Sequence, residues 1–372
     1  MRVLLINPWA DEELPPPSVG YIQGTLKHLG VDVKASNLEE AMRENDDYDI
    51  VAVSFHSFSV IHARSIRNHF SKARLICGGH HPSALPEQML SIGYDQVVVG
   101  EGENAIVDII NGDTEPIKRI STKHFKTIND IPIPDYSDLN FHNVIGIPVI
   151  TSRGCPFNCN FCASTKFWNN KYVMRTADNV LAEIDHWKTK GYSSWDFHDD
   201  NFTANRKRAL EICAGMDGKN IWRCTSRAET LDYDFCRELY RAGCRSMWLG
   251  IESLSQDALD RMNKRTTVEV MLSGVEACIK AGINAFCLFL VGLPGDTHED
   301  VLITKNKIRQ SNITCIGTNI AWILPQTNMY YTAKEHGMSD DVYLTTGVPF
   351  YTYEQPIEIL RYWSNLINTA RQ

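Results

Sequence analysis

Short apolar runs alternate with longer amphipathic runs along this chain, and this alternation most limits the folds that it can adopt. In residues 1–115 the apolar runs predict buried strands, at Val3–Ile6, Val31–Ala35, Ile50–Ser54, Leu75–Cys77 and Gln96–Val99. Helical patterns lie between them. Strand–helix alternation of this kind favours a parallel, doubly wound sheet. We therefore expect an α/β, Rossmann-like domain over residues 1–115.

The alternation fades after residue 115 and resumes near residue 144. The stretch Ile131–Asp135 contains two prolines, each of which disfavours helix in the residue before it. This predicts a linker over 116–143. Further apolar runs then predict six strands, at Ile147–Thr151, Ser194–His198, Ile221–Thr225, Ser246–Gly250, Ala285–Val291 and Cys315–Ile323. We expect a partial (β/α)6 barrel over 144–340, with its chemistry at the carboxyl ends of the strands. A short tail, 341–372, should pack on the barrel.

Charge and composition exclude several classes of function. The 372 residues carry a formal net charge of -8, which does not favour binding to nucleic acid or to an anionic membrane surface. No apolar run approaches the roughly 18 residues that a membrane helix needs. The start of the chain, Met1–Asn7, predicts a strand and not a signal peptide. We therefore expect a cytoplasmic protein whose 11 cysteines are thiols or metal ligands.

Three closely spaced cysteines follow the first predicted barrel strand. Cys155, Cys159 and Cys162 form a C-x3-C-x2-C pattern. Three thiolates can hold a cubane iron–sulfur cluster, whereas a ferredoxin-type run supplies four. One iron then stays open, which is typical of a catalytic rather than a structural metal centre. Zinc is the alternative, but it needs a fourth Cys or His at similar spacing, and the nearest upstream is His142.

This loop resembles the signature of the radical S-adenosylmethionine (SAM) superfamily, including an aromatic residue, Phe161, just before the third cysteine. The resemblance implies a [4Fe–4S] cluster on Cys155, Cys159 and Cys162. In that family the open iron chelates the amino and carboxylate groups of SAM. Electron transfer from the cluster then cleaves SAM to methionine and a 5′-deoxyadenosyl radical.

Further elements that resemble the superfamily follow in order along the barrel. The resemblance implies that Asp199 or Asp200 binds the SAM ammonium group and that Arg227, better placed than Arg223, binds the SAM carboxylate. Each side chain also has an ordinary alternative, a helix cap for the acidic positions and a surface salt bridge for the arginines. The remaining SAM contacts that it implies are Phe161, Glu252, Ser253, Gly292 and Ile323. The Pro325-Gln-Thr turn departs from the Pro-Gly-Thr that is frequent in relatives.

The amino-terminal domain resembles the cobalamin-binding domain that precedes the barrel in one class of the superfamily. The matching stretches are Pro15–Pro17, Asp49–Ser54, Cys77–Pro82 and Val99–Glu103, together with the Ile131–Asp135 linker. The resemblance implies cobalamin contacts at Ser54, Gly78, Gly79, Gly100 and Gly102. Each glycine is equally well explained by an ordinary turn between a strand and a helix. His56, His80 and His81 are surface residues or further contacts. No D-x-H-x-x-G element is found, so we expect base-off cobalamin.

Three hypotheses about function follow from the resemblance. The first is a cobalamin-dependent radical SAM enzyme that methylates an unactivated carbon of a small molecule. The second keeps the radical chemistry but performs a cyclisation or rearrangement without methyl transfer, with cobalamin absent or in another role. The third is a non-catalytic iron–sulfur sensor. For the enzymes we expect a flavodoxin or ferredoxin as electron donor, and neither nucleic acid nor a membrane as partner.

Overall fold

The computed structural model describes residues 1–8, 16–119, 123–139 and 146–371. Within them the chain divides into two compact units. One unit comprises residues 1–148 and 338–349, and the other comprises 149–337 and 350–372. Each unit contains a six-stranded sheet. The predicted fold class, a doubly wound parallel sheet followed by a partial barrel, is confirmed.

The first sheet has the strand order β2-β1-β3-β4-β5-β6, with parallel neighbours throughout. Its strands are β1 Arg2–Asn7, β2 Asp32–Asn37, β3 Ile50–Ser54, β4 Arg74–Gly78, β5 Gln96–Val99 and β6 Ile117–Arg119. Its helices are α1 Pro17–His28, α2 Leu38–Ala41, α3 Ala63–His69, α4 His80–Ala84, α5 Pro86–Ser91 and α6 Glu103–Ile110. The order reverses between β1 and β3, and ligands of doubly wound sheets bind at the carboxyl ends of the strands beside such a reversal.

The predicted linker is fixed on the first unit wherever it is described. It contributes β6, a short and polar strand that the sequence pattern does not predict. Its proline-rich stretch lies against α1, where Asp135 N donates to Gly20 O at 2.9 Å. The buried Tyr136 ring packs directly against Gly20. A Cβ at position 20 would lie 1.9 Å from Tyr136 Cε1, so a larger residue there would collide with the ring.

The second sheet has the strand order β14-β13-β12-β11-β10-β7. These strands are β7 Ile147–Val149, β10 Ser194–Phe197, β11 Ile221–Arg227, β12 Cys244–Glu252, β13 Asn284–Val291 and β14 Cys315–Ile320. A separate antiparallel pair, β8 Ser152–Arg153 and β9 Val173–Met174, follows β7. The six predicted barrel strands are therefore all present, with ends that differ by a few residues.

Helices alternate with the strands of the second sheet. They are α7 Ser164–Phe167, α8 Ala177–Thr189, α9 Arg206–Ala214, α10 Tyr233–Arg241, α11 Gln256–Arg261, α12 Val268–Lys280, α13 His298–Gln310 and α14 Asn328–Glu335. Short 3-10 helices lie at Val60–His62, Ile128–Asp130, Phe202–Ala204 and Ala228–Thr230. Among the described residues, no helix combines the length and the apolar character that crossing a membrane demands.

The carboxyl-terminal residues belong to both units. Helix α15, Val342–Thr345, groups with the first unit, where the buried Tyr343 ring lies 5.2 Å from the His81 ring. Helix α16, Ile357–Asn368, groups with the second unit and buries Leu360 and Trp363. We predicted a single tail packing on the barrel over 341–372; the structure divides this stretch between the units. The predicted domain boundaries themselves stay predictions.

The contact between Gly20 and Tyr136 predicts a large effect of one methyl group. Gly20→Ala should lower the free energy of unfolding by about 2 kcal/mol, because the Tyr136 ring must move out of a packed site. The loss from packing exceeds the gain in helix stability of ~1 kcal/mol that alanine gives over glycine. Urea unfolding of the full chain measures it. Gly78→Ala is the control, since its new methyl would meet Val98 Cβ at an ordinary 3.4 Å. Equal unfolding midpoints for the two variants would contradict this account.

Candidate active site

The three predicted cluster ligands share the loop that follows β8. All three cysteines are half-buried, and Cys162 N donates to Cys159 O at 3.2 Å in a tight turn. Burial raises the pKa of the Cys155 thiol, and it raises the pKa of Cys162 to about 12. Thiolates at these positions therefore need a nearby positive charge, which iron supplies. The donor set, three thiols in one loop, fits a cubane with one open iron.

Within the part of the chain that the structure describes, these and other side chains form no site for a single metal ion. In the described ranges, no group of three or more His, Cys, Asp or Glu side chains is close enough to hold one ion. Each thiolate of a cubane binds a different iron, so its ligands lie farther apart than those of a single ion. The three thiols, which do not converge on one point, are therefore compatible with a cubane cluster.

Asp199 holds the start of the cluster loop in place. Its fully buried carboxylate accepts hydrogen bonds from Thr151 N at 2.6 Å, Ser152 N at 3.0 Å and Ser152 Oγ at 2.8 Å. The Thr151 hydroxyl and the Arg208 guanidinium also contact it. With these contacts both oxygens are occupied within the protein. Asp199 therefore positions the loop, and of the two predicted ammonium ligands only its neighbour remains accessible.

That neighbour, Asp200, is exposed and lies beside the first cysteine. Its Oδ2 accepts from Gly154 N at 3.1 Å and from Trp168 Nε1 at 2.9 Å, and desolvation by the surrounding protein raises its pKa. Gly154 has φ +84°, and a Cβ there would lie 2.0 Å from Lys171 O. Only glycine fits this position, and the chain can then turn between the carboxylate and Cys155.

A segment that the sequence does not single out anchors the other side of the loop. Asn263 Nδ2 donates to Asn158 O at 2.6 Å, and Asn160 N donates to Met262 O at 3.0 Å. The next residue in the loop, Phe161, lines a cavity of about 120 Å³ with residues that include Met262 and Pro294. Residues 261–264, at the end of α11 and just beyond it, thus fix the loop near its second and third cysteines.

The predicted ribose ligands at the end of β12 differ in their surroundings. Glu252 has a left-handed backbone, φ +65°, beside a bulge in the strand, and its side chain is partly exposed. Lys264, only 2% exposed, donates to Gly250 O at 2.8 Å and to Glu252 Oε1 at 3.0 Å. Ser253 is buried and bonds Thr304 Oγ1 at 3.1 Å. Glu252 is therefore the accessible member of the pair, and Lys264 orients it.

Two arginines of β11 have different partners. Arg223 pairs with Asp196 through two hydrogen bonds of 3.0 and 3.1 Å. Arg227 is buried at the strand end, with Nη1 3.1 Å from Cys159 Sγ. Of the two, Arg227 is therefore the one beside the cluster loop.

Gly292 and Ile323 lie at the ends of the last strands. Gly292 has φ +85° and donates to Asp296 Oδ2 at 2.9 Å, and burial raises the pKa of Asp296 to about 6. Ile323 is buried. In the turn that follows, Gln326 has φ +65°, so the turn keeps the left-handed conformation that glycine favours although glutamine stands there.

The predicted cobalamin contacts lie at or just beyond the carboxyl ends of β3, β4 and β5. Ser54 Oγ, at the end of β3, is 3.0 Å from Ser18 Oγ. Gly100 N donates to Ser83 Oγ at 2.9 Å. A Cβ on Gly79 would lie 2.6 Å from Phe55 O, and one on Gly102 would lie 2.9 Å from Ile22 Cδ1, whereas Gly78 has ordinary space. Packing within the unit alone therefore requires glycine at 79, where the neighbour is backbone and φ is +99°, whereas at 102 the terminal methyl of Ile22 can move aside.

The predicted histidine contacts of this unit also have defined surroundings. The His56 and His80 rings stack with their centroids 5.1 Å apart, and desolvation lowers the pKa of His80 to about 3. His81 is buried, bonds Gln88 at 2.8 Å, and has its pKa lowered to about 4 by burial. His81 is therefore not the surface histidine that the sequence allowed, but part of the core. Pro15 and residues 120–122 and 140–145 of the linker and first barrel segment lie outside the described residues.

Two family models match the chain in the same order as the two sheets. The model of the B12 binding domain matches residues 14–110, and the model of the radical SAM superfamily matches residues 149–308. The chain belongs to the radical SAM superfamily, in the class that carries a B12-binding domain. The resemblance drawn from the cysteine loop and the strand-end glycines is therefore confirmed, as are the predicted classes of cofactor.

Relatives of this radical SAM protein cover nearly all of it. An uncharacterized methyltransferase of Pyrococcus horikoshii is 25% identical over 98% of this chain and 89% of its own length. The bacteriochlorophyllide d C-8(2)-methyltransferase of Chlorobaculum tepidum is 25% identical over 83% of this chain and 73% of its own. The solved methyltransferase TsrM from Kitasatospora setae, with tryptophan and a SAM analogue bound, has a TM-score of 0.75 at 18% identity. The match covers 90% of this chain and 76% of TsrM.

The two adjacent carboxylates should lose stability to different extents when each is changed to an amide. Asp199→Asn should lower the free energy of unfolding by about 2–4 kcal/mol, because the amide places a donor against the Thr151 and Ser152 donors. Asp200→Asn, the matched control, should cost less than about 1 kcal/mol, since one amide oxygen can still accept from Gly154 and Trp168. Urea unfolding and iron content after reconstitution measure both. Equal losses in the two variants would show that Asp199 does not position the loop.

Proposed function

We propose that this protein is a cobalamin-dependent radical SAM methyltransferase that methylates an unactivated carbon of a small molecule. One observation carries the proposal: a loop with three cysteines lies beside the strand ends of the radical SAM fold, in a chain that also has a B12-binding fold. Similarity to methyltransferases over most of the chain supports methyl transfer.

The residues around the loop have distinct roles in this proposal. Cys155, Cys159 and Cys162 hold the cluster. When bound, the cluster with SAM supplies a 5′-deoxyadenosyl radical and cobalamin supplies the methyl group. Asp200, accessible beside Gly154, accepts hydrogen bonds from the SAM ammonium group. Glu252, oriented by Lys264, accepts them from the ribose hydroxyls.

On the first unit, the proposed corrin site lies at the strand ends that carry Ser54, Gly78 and Gly100. Ser54 belongs to β3, which borders the reversal of strand order where doubly wound sheets bind ligands. Ser54 and its neighbour Ser18 offer hydroxyls to the nucleotide tail. The electron donor is a flavodoxin or ferredoxin, and the protein acts in the reducing cytosol, where its thiols stay available to iron.

Product analysis tests the reaction itself. With reconstituted cluster, cobalamin, SAM, an electron donor and substrate, we expect one 5′-deoxyadenosine and one S-adenosylhomocysteine per methyl group transferred. The substrate should gain 14 mass units by mass spectrometry. Cys155→Ala is the control and should form no 5′-deoxyadenosine. Formation of 5′-deoxyadenosine without S-adenosylhomocysteine would reject methyl transfer and leave a rearrangement or cyclisation.

Binding of SAM tests the role of the accessible carboxylate. Asp200→Asn should bind SAM about 10- to 100-fold more weakly, because a charge-assisted hydrogen bond contributes about 1.5–3 kcal/mol. Equilibrium binding to the reconstituted protein measures it. The control is Asp185→Asn, a change in an exposed carboxylate of α8. Unchanged affinity in Asp200→Asn, at full iron content, would remove Asp200 from the SAM site.

A further inference from the structure

All three guanidinium nitrogens of Arg227 donate hydrogen bonds within the protein, through three of its five N–H groups. Nε donates to the Glu229 carboxylate, Nη2 donates to Lys264 O, and Nη1 donates to Cys159 Sγ at 3.1 Å. The guanidinium carbon also lies 4.0 Å from the centroid of the Phe157 ring. The side chain is thus fixed on three sides and faces the cluster loop.

This arrangement is less suited to binding the SAM carboxylate than a guanidinium with a whole edge available. A bidentate clamp uses two parallel N–H groups on one edge of the guanidinium. Here every nitrogen already donates a hydrogen bond within the protein, to Glu229, Lys264 and Cys159. Turning the fork toward a ligand would break at least one of these bonds in a buried site, where an unpaired group is costly.

A cation that donates to a cluster sulfur changes the energy of electron uptake. Hydrogen bonds to the sulfurs and the local charge are among the factors that set the reduction potential of an iron–sulfur cluster. Reduction adds one negative charge to the cluster, and Arg227, 7% exposed, is little screened by water. Its donation to Cys159 therefore favours the reduced state, and Glu229 beside it weakens this effect.

We propose that Arg227 is a positioning residue that holds Cys159 and raises the reduction potential of the [4Fe–4S] cluster. The inference rests on the proposed function, since it requires the cluster on Cys155, Cys159 and Cys162. The reaction that it assists is a one-electron transfer: a reduced flavodoxin or ferredoxin is oxidised by one electron, and the cluster passes from the 2+ to the 1+ state. Arg227 gains no proton and loses none in this step.

The midpoint potential of the cluster tests the proposal. It is measured on the reconstituted full chain without SAM, by a redox titration monitored by EPR, for the wild type and for R227Q, R227K and E229Q. R227Q should have a more negative midpoint than the wild type, and R227K should lie between them. E229Q should shift the midpoint in the opposite direction, because it leaves the Arg227 charge uncompensated.

Arg223→Gln is the matched control, since Arg223 lies on the same strand but is bound to Asp196. Its midpoint should equal that of the wild type. If R227Q fails to retain iron, the sign of the E229Q shift decides. An unchanged midpoint in both R227Q and E229Q would overturn the proposal. If R227Q in addition binds SAM more weakly, Arg227 binds the SAM carboxylate instead.

The two proposals fail in different ways. If the midpoints shift as expected but no methyl group is transferred, the role of Arg227 stands and the proposed function fails. If methyl transfer occurs but the midpoints do not move, the proposed function stands and the role of Arg227 fails. A wild-type chain that forms no [4Fe–4S] cluster overturns both.

Discussion

The buried carboxylate of Asp199 is the interaction on which the rest of the site depends. It fixes Thr151 and Ser152 where β7 gives way to the cluster loop, and it leaves its neighbour Asp200 pointing to solvent beside Gly154. The start of the loop is therefore set by the second barrel strand, since Asp199 lies two residues after the end of β10. Without the hydrogen bonds to Asp199, fewer interactions would hold the start of the three-cysteine loop in one conformation.

The far side of the loop is held by hydrogen bonds to main-chain groups and by buried cations. Residues 261–264 accept from and donate to Asn158, Asn160 and Arg227. Within this segment the Lys264 ammonium group donates to the Glu252 carboxylate, and the Lys264 carbonyl accepts from Arg227. The segment thereby links the proposed ribose carboxylate to a cysteine of the loop. Such support is what an open cluster site needs, because ligand geometry is preorganised by the residues behind it.

Much of the fold and the centre of the site could be predicted from the sequence. Buried parallel strands are nearly continuous apolar runs, so eleven of the twelve strands in the two six-stranded sheets can be predicted from the sequence. The spacing of the cysteines identifies the cluster loop. β6 could not be predicted because Ile-Lys-Arg is short and polar. Asp199 and Asp200 cannot be told apart in sequence, since their difference lies in the direction in which adjacent side chains point.

Other features had no sequence signal for physical reasons. Lys264 stands in Asn-Lys-Arg, a pattern typical of surface, and its burial follows from partners that are distant in sequence, Gly250 and Glu252. The sequence predicts that the strand-end glycines of the first unit contact a ligand, but packing against the Phe55 backbone also requires glycine at 79. A glycine in the sequence indicates that another group lies close to the backbone, but not whether that group is a ligand or part of the protein.

The proposed chemistry requires a [4Fe–4S] cubane whose open iron binds the amino and carboxylate groups of SAM. The most direct measurement is the EPR spectrum of the reduced, reconstituted full chain, recorded before and after addition of SAM. We expect the signal of a [4Fe–4S]+ cluster that changes when SAM is added, because SAM ligates the open iron. A protein that assembles no such cluster, or one whose signal is the same with and without SAM, would contradict the account.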